Sequence, residues 1–201
     1  MPSVIETGLQ KSLTQAEFES KYKASFFEIV AGKVGMTEVP LNLPAKPAST
    51  LSFVAAQSMF GSGGVINPGL FTWDPATKLM MCNRDIYAIT VEMTIRAIWG
   101  QNITIGAGVA VGNPLSLPTD QGVTQNGSYV SRFADVQTGR GAGRPNTFKL
   151  NYSLVGKASA DPNEIGVFSG DKIFPVFWNY ESSVQTVNVI DIIMTVKNTI
   201  V

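Results

Sequence analysis

The clearest signal in the chain is an alternation of apolar and polar residues. Tyr87, Ile89, Val91, Met93, Ile95, Ala97 and Trp99 occupy one set of positions, and Thr90, Glu92, Thr94 and Arg96 the other. This period of two is the mark of a strand with one face buried. Ile103, Ile105, Ala107, Val109 and Val111 repeat it at once with small residues opposite, so Gly100-Gln101-Asn102 is expected to turn the two strands into a hairpin. Further strands are expected within 52–60, 71–73, 79–82, 129–136, 147–155, 172–180 and 185–196, separated by turn-rich segments such as Gly61-Ser-Gly-Gly64 and Asp161-Pro-Asn163. Eight to ten short strands and no helix after residue 50 predict a sandwich or closed barrel, because a parallel α/β sheet needs helices between its strands.

Residues 1–50 read differently. Thr14-Gln-Ala-Glu17 has capping-box spacing, which predicts a helix over about 14–31 with Phe18, Tyr22, Phe26 and Ile29 on one face. That aromatic stripe must dock, either on the chain's own domain or on a neighbouring subunit. Pro40, Pro44 and Pro47 then mark an extended linker able to add to a sheet edge of a neighbour. The expected organisation is an N-terminal arm over 1–50 and one β domain over 51–201. At 201 residues the chain has length for one core plus an appendage.

Two strands are apolar on both faces. Phe174, Val176, Trp178 and Tyr180 share one face and Ile173 and Phe177 the other, so this strand is either sandwiched between layers or faces another protomer. In the last strand Ile190, Ile192, Met194 and Val196 oppose Val187, Val189 and Ile193 around Asp191. Such strands are the places expected for a homotrimer interface, and a buried Asp191 would need a partner.

The chemistry available is narrow. There is no histidine, which removes Ser-His-Asp and Cys-His catalysis and the usual zinc sites. The acids of the β region are scattered singly, many at expected turns, which disfavours a catalytic pair. The single cysteine, Cys82, is expected to fill space in a strand. Asp161-Pro-Asn-Glu164 lacks the dense oxygen pattern of a calcium loop. Arg140 and Arg144 lie in a glycine-rich loop without a P-loop ending, either solvated or gripping a neighbouring subunit. No cofactor is implied. Fifteen basic and fifteen acidic residues balance, and the arm's lysines are matched by glutamates, so neither nucleic acid nor an anionic membrane is an expected partner. No apolar run approaches the ~20 residues of a membrane helix. The N-terminus shows no secretory pattern, so synthesis and folding in a cytoplasm are expected. Only 15% of residues are charged, against roughly 25% in typical soluble domains, which suits a subunit that covers much of its surface in an assembly.

The run Phe71-Thr-Trp-Asp-Pro-Ala-Thr-Lys-Leu-Met-Met-Cys-Asn-Arg-Asp-Ile-Tyr-Ala-Ile-Thr90 passes from an aromatic pair through an Asp-Pro turn and a short strand to a tyrosine opening a long strand. It resembles the early strands of C1q/TNF-like jelly rolls, and Gly170-Asp171-Lys172-Ile173-Phe174 resembles the Gly-Asp before that family's penultimate strand. The likeness covers about a third of the chain. It departs at Asp85-Ile86, where the family carries a glycine, and at the closing strand, which lacks the Phe-x-Gly ending. The resemblance implies an antiparallel jelly-roll sandwich, commonly trimeric. Because the fold recurs in virion proteins, it further implies a trimeric bacteriophage capsid decoration, or cement, protein in the virion, with the major capsid protein or other virion subunits as partners. A receptor- or glycan-binding fibre tip and a jelly-roll capsid subunit are the competing readings.

Overall fold

The computed structural model describes residues 38–61, 63, 69–86, 89–132, 134–141, 143–153, 157–158 and 165–198. The helix expected over 14–31 lies outside them. Within them the chain is all-β, with antiparallel pairing throughout and one 3-10 turn at Gln57–Met59.

The strands, in chain order, are β1 (Val39–Leu43), β2 (Val54–Ala55), β3 (Phe71–Asp74), β4 (Leu79–Cys82), β5 (Ile89–Ile98), β6 (Thr104–Gly112) and β7 (Thr124–Gln125). There follow β8 (Ser128–Val130), β9 (Asp135–Thr138), β10 (Asn146–Ser153), β11 (Lys157–Ala158), β12 (Ile165–Gly166), β13 (Lys172–Asn179) and β14 (Gln185–Asn198). One sheet runs β1-β14-β5-β10, a second runs β3-β4-β13-β6-β8-β7, with β2 on β13 and β9 on β6, and β11 and β12 form a separate two-stranded pair.

The pairs β1·β14, β4·β13, β5·β10 and β6·β9 are nested, each enclosed in sequence by the one before. This is one long antiparallel ribbon wrapped around a core, the defining connectivity of a jelly roll. The ribbon changes sheet three times, and hydrogen bonds lace its two chains together at each crossing. They are Lys46 N–H to Glu181 O at 2.8 Å, the reciprocal Ile86/Val167 pair at 2.8 Å each, and Asn102 N–H to Gly139 O with Gly139 N–H to Ile103 O at 3.1 and 2.8 Å.

The third crossing corrects the expected hairpin. β5 and β6 do follow one another through a turn at Gly100–Asn102, but β5 pairs with β14 and β10, and β6 with β13, β8 and β9. Both strands send their apolar faces into one core from opposite sheets, Ile89 to Ala97 from β5 and Ile105 to Val111 from β6. Alternation is the same for a hairpin and for such an arch, so the pattern could not separate them. The corner is locked locally: the Trp99 indole N–H donates to Ile103 O at 2.8 Å, and a Cβ on Gly139 would fall 1.9 Å from Gly100 O.

The linker reading also fails for part of its length. Residues 39–43 form β1, on the edge of the first sheet, with Leu41 and Leu43 buried in the core. Pro40, which cannot donate a backbone hydrogen bond, sits on this edge strand, where sheets tolerate it.

In β14 the apparent two-sided greasiness is a β-bulge. Val189 is opposite Ala97 and Asp191 opposite Arg96, leaving Ile190 as an inserted residue without a partner. Val187 and Val189 point into the core before the bulge, and Ile192, Met194 and Val196 after it. The insertion keeps Asp191 on the outer face, where its carboxylate accepts a hydrogen bond from Arg96 at 3.1 Å.

Deletion variants test the bulge. Removing Ile190 restores a plain alternation with the same residues inward, so that variant should keep a cooperative thermal unfolding transition. Removing Ile193 forces either Met194 and Val196 outward or Asp191 inward, and should leave the chain unfolded by circular dichroism at 25 °C.

Candidate functional site

The second face of β13 is closed by the chain itself. Phe174, Val176 and Trp178 are fully buried in a second apolar cluster with Ala110 and Val130, on the side of the sheet away from the main core. Leu51, Phe53 and Ala55 cross over it as a strap, joined by Leu79, Leu117 and Ala134. The strap is held by β2 pairing, Val176 with Ala55 and Phe177 with Val54, and by Ala56 N–H to Pro175 O at 2.9 Å and Leu51 N–H to Thr119 O at 3.0 Å.

Trp178 is the centre of this cluster. Phe53 meets its ring edge-on at 5.1 Å, and Tyr180 approaches at 6.5 Å with the Lys46 ammonium 5.4 Å from the Tyr180 centroid. The indole lies against the bare backbone of β6: a Cβ on Gly106 would sit 2.3 Å from it, and one on Gly108 3.2 Å. Its buried N–H has no acceptor among the described residues. Packing a large ring onto the glycine floor outweighs that donor, whose cost is about 1–3 kcal/mol.

A polar clamp fixes the entry to the strap. The Asn179 side-chain amide donates to Leu43 O at 3.2 Å and to Pro44 O, and its oxygen accepts from Glu181 N–H at 2.7 Å. Glu181 Oε1 accepts from Thr104 N–H at 3.0 Å. The end of β1 is thereby tied to the β13–β14 turn and to the start of β6.

These placements change the interface expected from the sequence. Phe174, Val176 and Trp178 are occupied within the chain, and Tyr180 is half-buried beside them. Ile192 and Met194 lie in the main core and Ile190 is buried at the bulge. Internal burial of these side chains leaves their faces unavailable to a second protomer in this fold. Arg140 and Arg144 are exposed on the β9–β10 corner. Phe18, Tyr22, Phe26 and Ile29 lie outside the described residues.

What remains open to solvent is of two kinds. The outer face of β14-β5-β10 is polar, with a shallow depression of about 360 Å³ lined by Glu92, Thr94, Lys149, Asn151, Ile193 and Thr195. The β6–β7 loop and the strap border a second groove of about 290 Å³, lined by Leu51, Phe53, Pro114, Leu115, Leu117 and Pro118. The groove was missed in the sequence; its signal is the leucine pair between prolines in Asn113-Pro-Leu-Ser-Leu-Pro118, outside any alternating run. Among the described residues no group of three or more His, Cys, Asp or Glu side chains is placed to hold a metal ion.

Cys82 is buried on β4, and its thiol donates to Arg84 O at 2.8 Å. Burial, reinforced by Asp171 and Asp85, pushes the thiol up to about 11 from 9.0 despite that hydrogen bond.

No family model matches the chain, and no curated protein does. Among solved structures it is similar to Eiger TNF from S. frugiperda at 10% identity and a TM-score of 0.42, covering 82% of this chain and 94% of that one. It is also similar to a chain of the infectious bursal disease virus Gt strain at 10% identity and a TM-score of 0.42, covering 87% of this chain and 33% of that one. The chain thus spans about a third of the viral chain it matches.

Two measurements probe these packings. Gly106→Ala should destabilise the fold by about 1–3 kcal/mol in denaturant unfolding and alter tryptophan fluorescence, because the added methyl displaces the Trp178 ring. For Cys82 the folded chain retains a proton that the unfolded chain loses, so its share of stability is complete below pH 9 and declines as pH rises towards 11. The unfolding midpoint should therefore drop more steeply over that range in the native sequence than in Cys82→Ala, and the thiol should resist a disulfide reagent at pH 8 until denaturant is added.

Proposed function

We propose that the chain is a non-enzymatic virion structural protein, a trimeric decoration or cement subunit whose sandwich sits on a capsid shell and whose N-terminal arm ties it to neighbouring subunits. The observation that carries this reading is the attachment of the N-terminal region. Residues 1–37 enter the fold through β1, which is fixed by a five-residue ladder to β14 and, at its far end, by the Asn179 clamp. Tension on an arm so attached is delivered to an edge strand whose Leu41 and Leu43 are buried in the core. Phe18, Tyr22, Phe26 and Ile29 are the arm residues assigned to a neighbour. Arg140 and Arg144, exposed on a corner, are assigned to carboxylates or carbonyls of an adjoining subunit.

The self-sealed sandwich supports a static role. Its strand faces are filled by its own side chains, and the absence of histidine from the sequence removes the commonest general base and metal ligand. The low content of charged residues fits a subunit that covers much of its exterior in an assembly.

The test separates residues 1–37, taken as the arm, from the described sandwich. A chain lacking residues 1–37 should sediment as a folded trimer yet fail to bind shells of the particle from which the protein comes. Shell binding equal to that of the full chain would reject the arm's role, and a monomeric full chain would reject the trimer. Removing residues 1–48 takes β1 away with Leu41 and Leu43, and should lower the unfolding temperature sharply instead of reporting on the arm.

A further inference from the structure

The first sheet ends on β10, with β5 on one side and, among the described residues, no strand on the other. A strand edge in that position presents a row of unpaired backbone groups on which another extended chain can add as the next strand. One hydrogen bond fixes the direction of that row. Lys149 N–H donates to Asp135 Oδ2 at 2.9 Å, so it points away from β5, and the period of two along a strand turns the Thr147 and Asn151 N–H groups the same way. Lys149 stands between them, in the middle of the open edge.

Asp135 does not belong to that sheet. It lies on β9, paired with Ala107 of β6, and its carboxylate crosses from the second sheet to the edge of the first. Gln137 shares its face of β9 and aims it: the Gln137 side-chain amide donates to Asp135 Oδ1 at 2.9 Å, which leaves Oδ2 for Lys149 N–H. The face they share is the inward one, because their partners across the ladder, Ala107 and Ile105, belong to the main core. Between them Val136 is turned to solvent and is 46% exposed. A strand of a sandwich ordinarily turns its apolar residues in and its polar residues out, and β9 does the reverse. An inward-pointing charge is one of the devices by which sheets close their edges to pairing.

A strand added to β10 must take the Lys149 N–H, and so must displace the carboxylate and leave it against two backbones without that donor, which costs free energy. Without the carboxylate, the strand best matched to the edge is the same edge of a second copy. Antiparallel pairing of identical strands is two-fold symmetric, so one substitution opens both partners at once. The Lys149 side chains are exposed, and their repulsion across such a pair is screened by solvent and salt.

We infer that Asp135, held by Gln137, is an edge guard: it occupies the central amide of the open β10 edge and keeps the first sheet from being extended by β10 of a second copy. The guard is separate from the arm proposed above, because β10 and β1 are opposite edges of their sheet.

Sedimentation of Asp135→Ala over a range of concentrations, beside the native chain, tests the guard. The variant should self-associate about tenfold or more tightly than the native chain, whatever the mass of the native assembly, with the circular dichroism of the native fold. Its amide protons over 147–151 should exchange more slowly as concentration rises. Asp135→Asn should behave as the native chain, because its side-chain oxygen still accepts from Lys149 N–H. Adding Asn151→Pro to Asp135→Ala removes a second outward amide, at an edge position where proline is tolerated, and should return the mass to that of the native chain. A folded Asp135→Ala with native mass overturns the guard and leaves Asp135 as a tie between β9 and β10. Association that Asn151→Pro does not relieve, or that Asp135→Asn shows equally, overturns it too. If Asp135→Ala does not fold, Asp135→Ser, polar but too short to reach Lys149 N–H, is read by the same criteria; failure of both to fold overturns the guard, since the carboxylate would then be holding the sandwich together.

Discussion

The structure depends on one constraint: the strands pair as a single nested ribbon that must stay joined while it folds over the core three times. Each crossing is a place where backbone groups leave a ladder and would go unpaired, a cost of about 1–3 kcal/mol for each buried group. The chain meets it by bonding the two edges of the ribbon to each other. Lys46 with Glu181, Ile86 with Val167 and the Gly100–Ile103 turn with Gly139 are equivalent solutions at successive corners. The residues that look irregular in the sequence are those the corners require. Gly139 has no space for a side chain against Trp99, and Asn102 takes a left-handed conformation with φ of 63°.

Packing between the corners follows from the same ribbon. Because β13 carries large apolar side chains on both faces, Ile173 and Phe177 on one and Phe174, Val176 and Trp178 on the other, both must be covered, one by the main core and the other by something outside the two-layer plan. The strap at residues 51–55 supplies that cover, and the indole of Trp178 fills the gap beneath it where Gly106 and Gly108 leave the β6 backbone bare. The bulge at Ile190 does the corresponding work in β14. Inserting one residue changes the parity of the strand, so that Asp191 meets Arg96 on the outer face while five aliphatic and methionine side chains stay inside. A buried carboxylate would cost far more than the unpaired backbone of one bulge.

Much of this was readable in the sequence where side chains alone decide. The alternation around residues 89–98 and 104–112 located β5 and β6, and the Asp74-Pro75 turn and the short β4 strand fell where the pattern put them. Cys82 proved to be buried in a strand, as its surroundings suggested. The failures share a cause: alternation gives the face of a residue but not the neighbour of its strand. A hairpin and an arch between sheets have the same pattern, so the β5–β6 connection was misread. Val39, Leu41 and Leu43 keep period two, yet three prolines nearby made the segment look like a linker. The greasy outer face of β13 demanded a cover, and nothing in β13 itself distinguishes a strap from the same chain from a second protomer. In β14 the signal was present as a change of parity across Asp191, which is how a bulge appears in one dimension.

Sealing both faces of β13 within one chain limits how the sandwich can associate. Side chains such as Phe174, Trp178 and Met194 have no accessible surface left to lose, so exposing them to a partner would first require lifting the strap or opening the core, at several kcal/mol apiece. Contacts that keep the fold intact must instead use groups already in water. Among the described residues these include the polar face with Arg96 and Asp191, the exposed arginines of the β9–β10 corner, and the ordered turn at Leu115. Polar faces and rim charges contribute little net free energy when buried, because desolvation offsets much of what they gain. The apolar knob at Leu115 loses only hydration on burial, and its backbone is already ordered. Among the exposed large apolar residues of the described chain Leu115 is the most exposed, so burying it would remove the largest fraction of any such side chain from water.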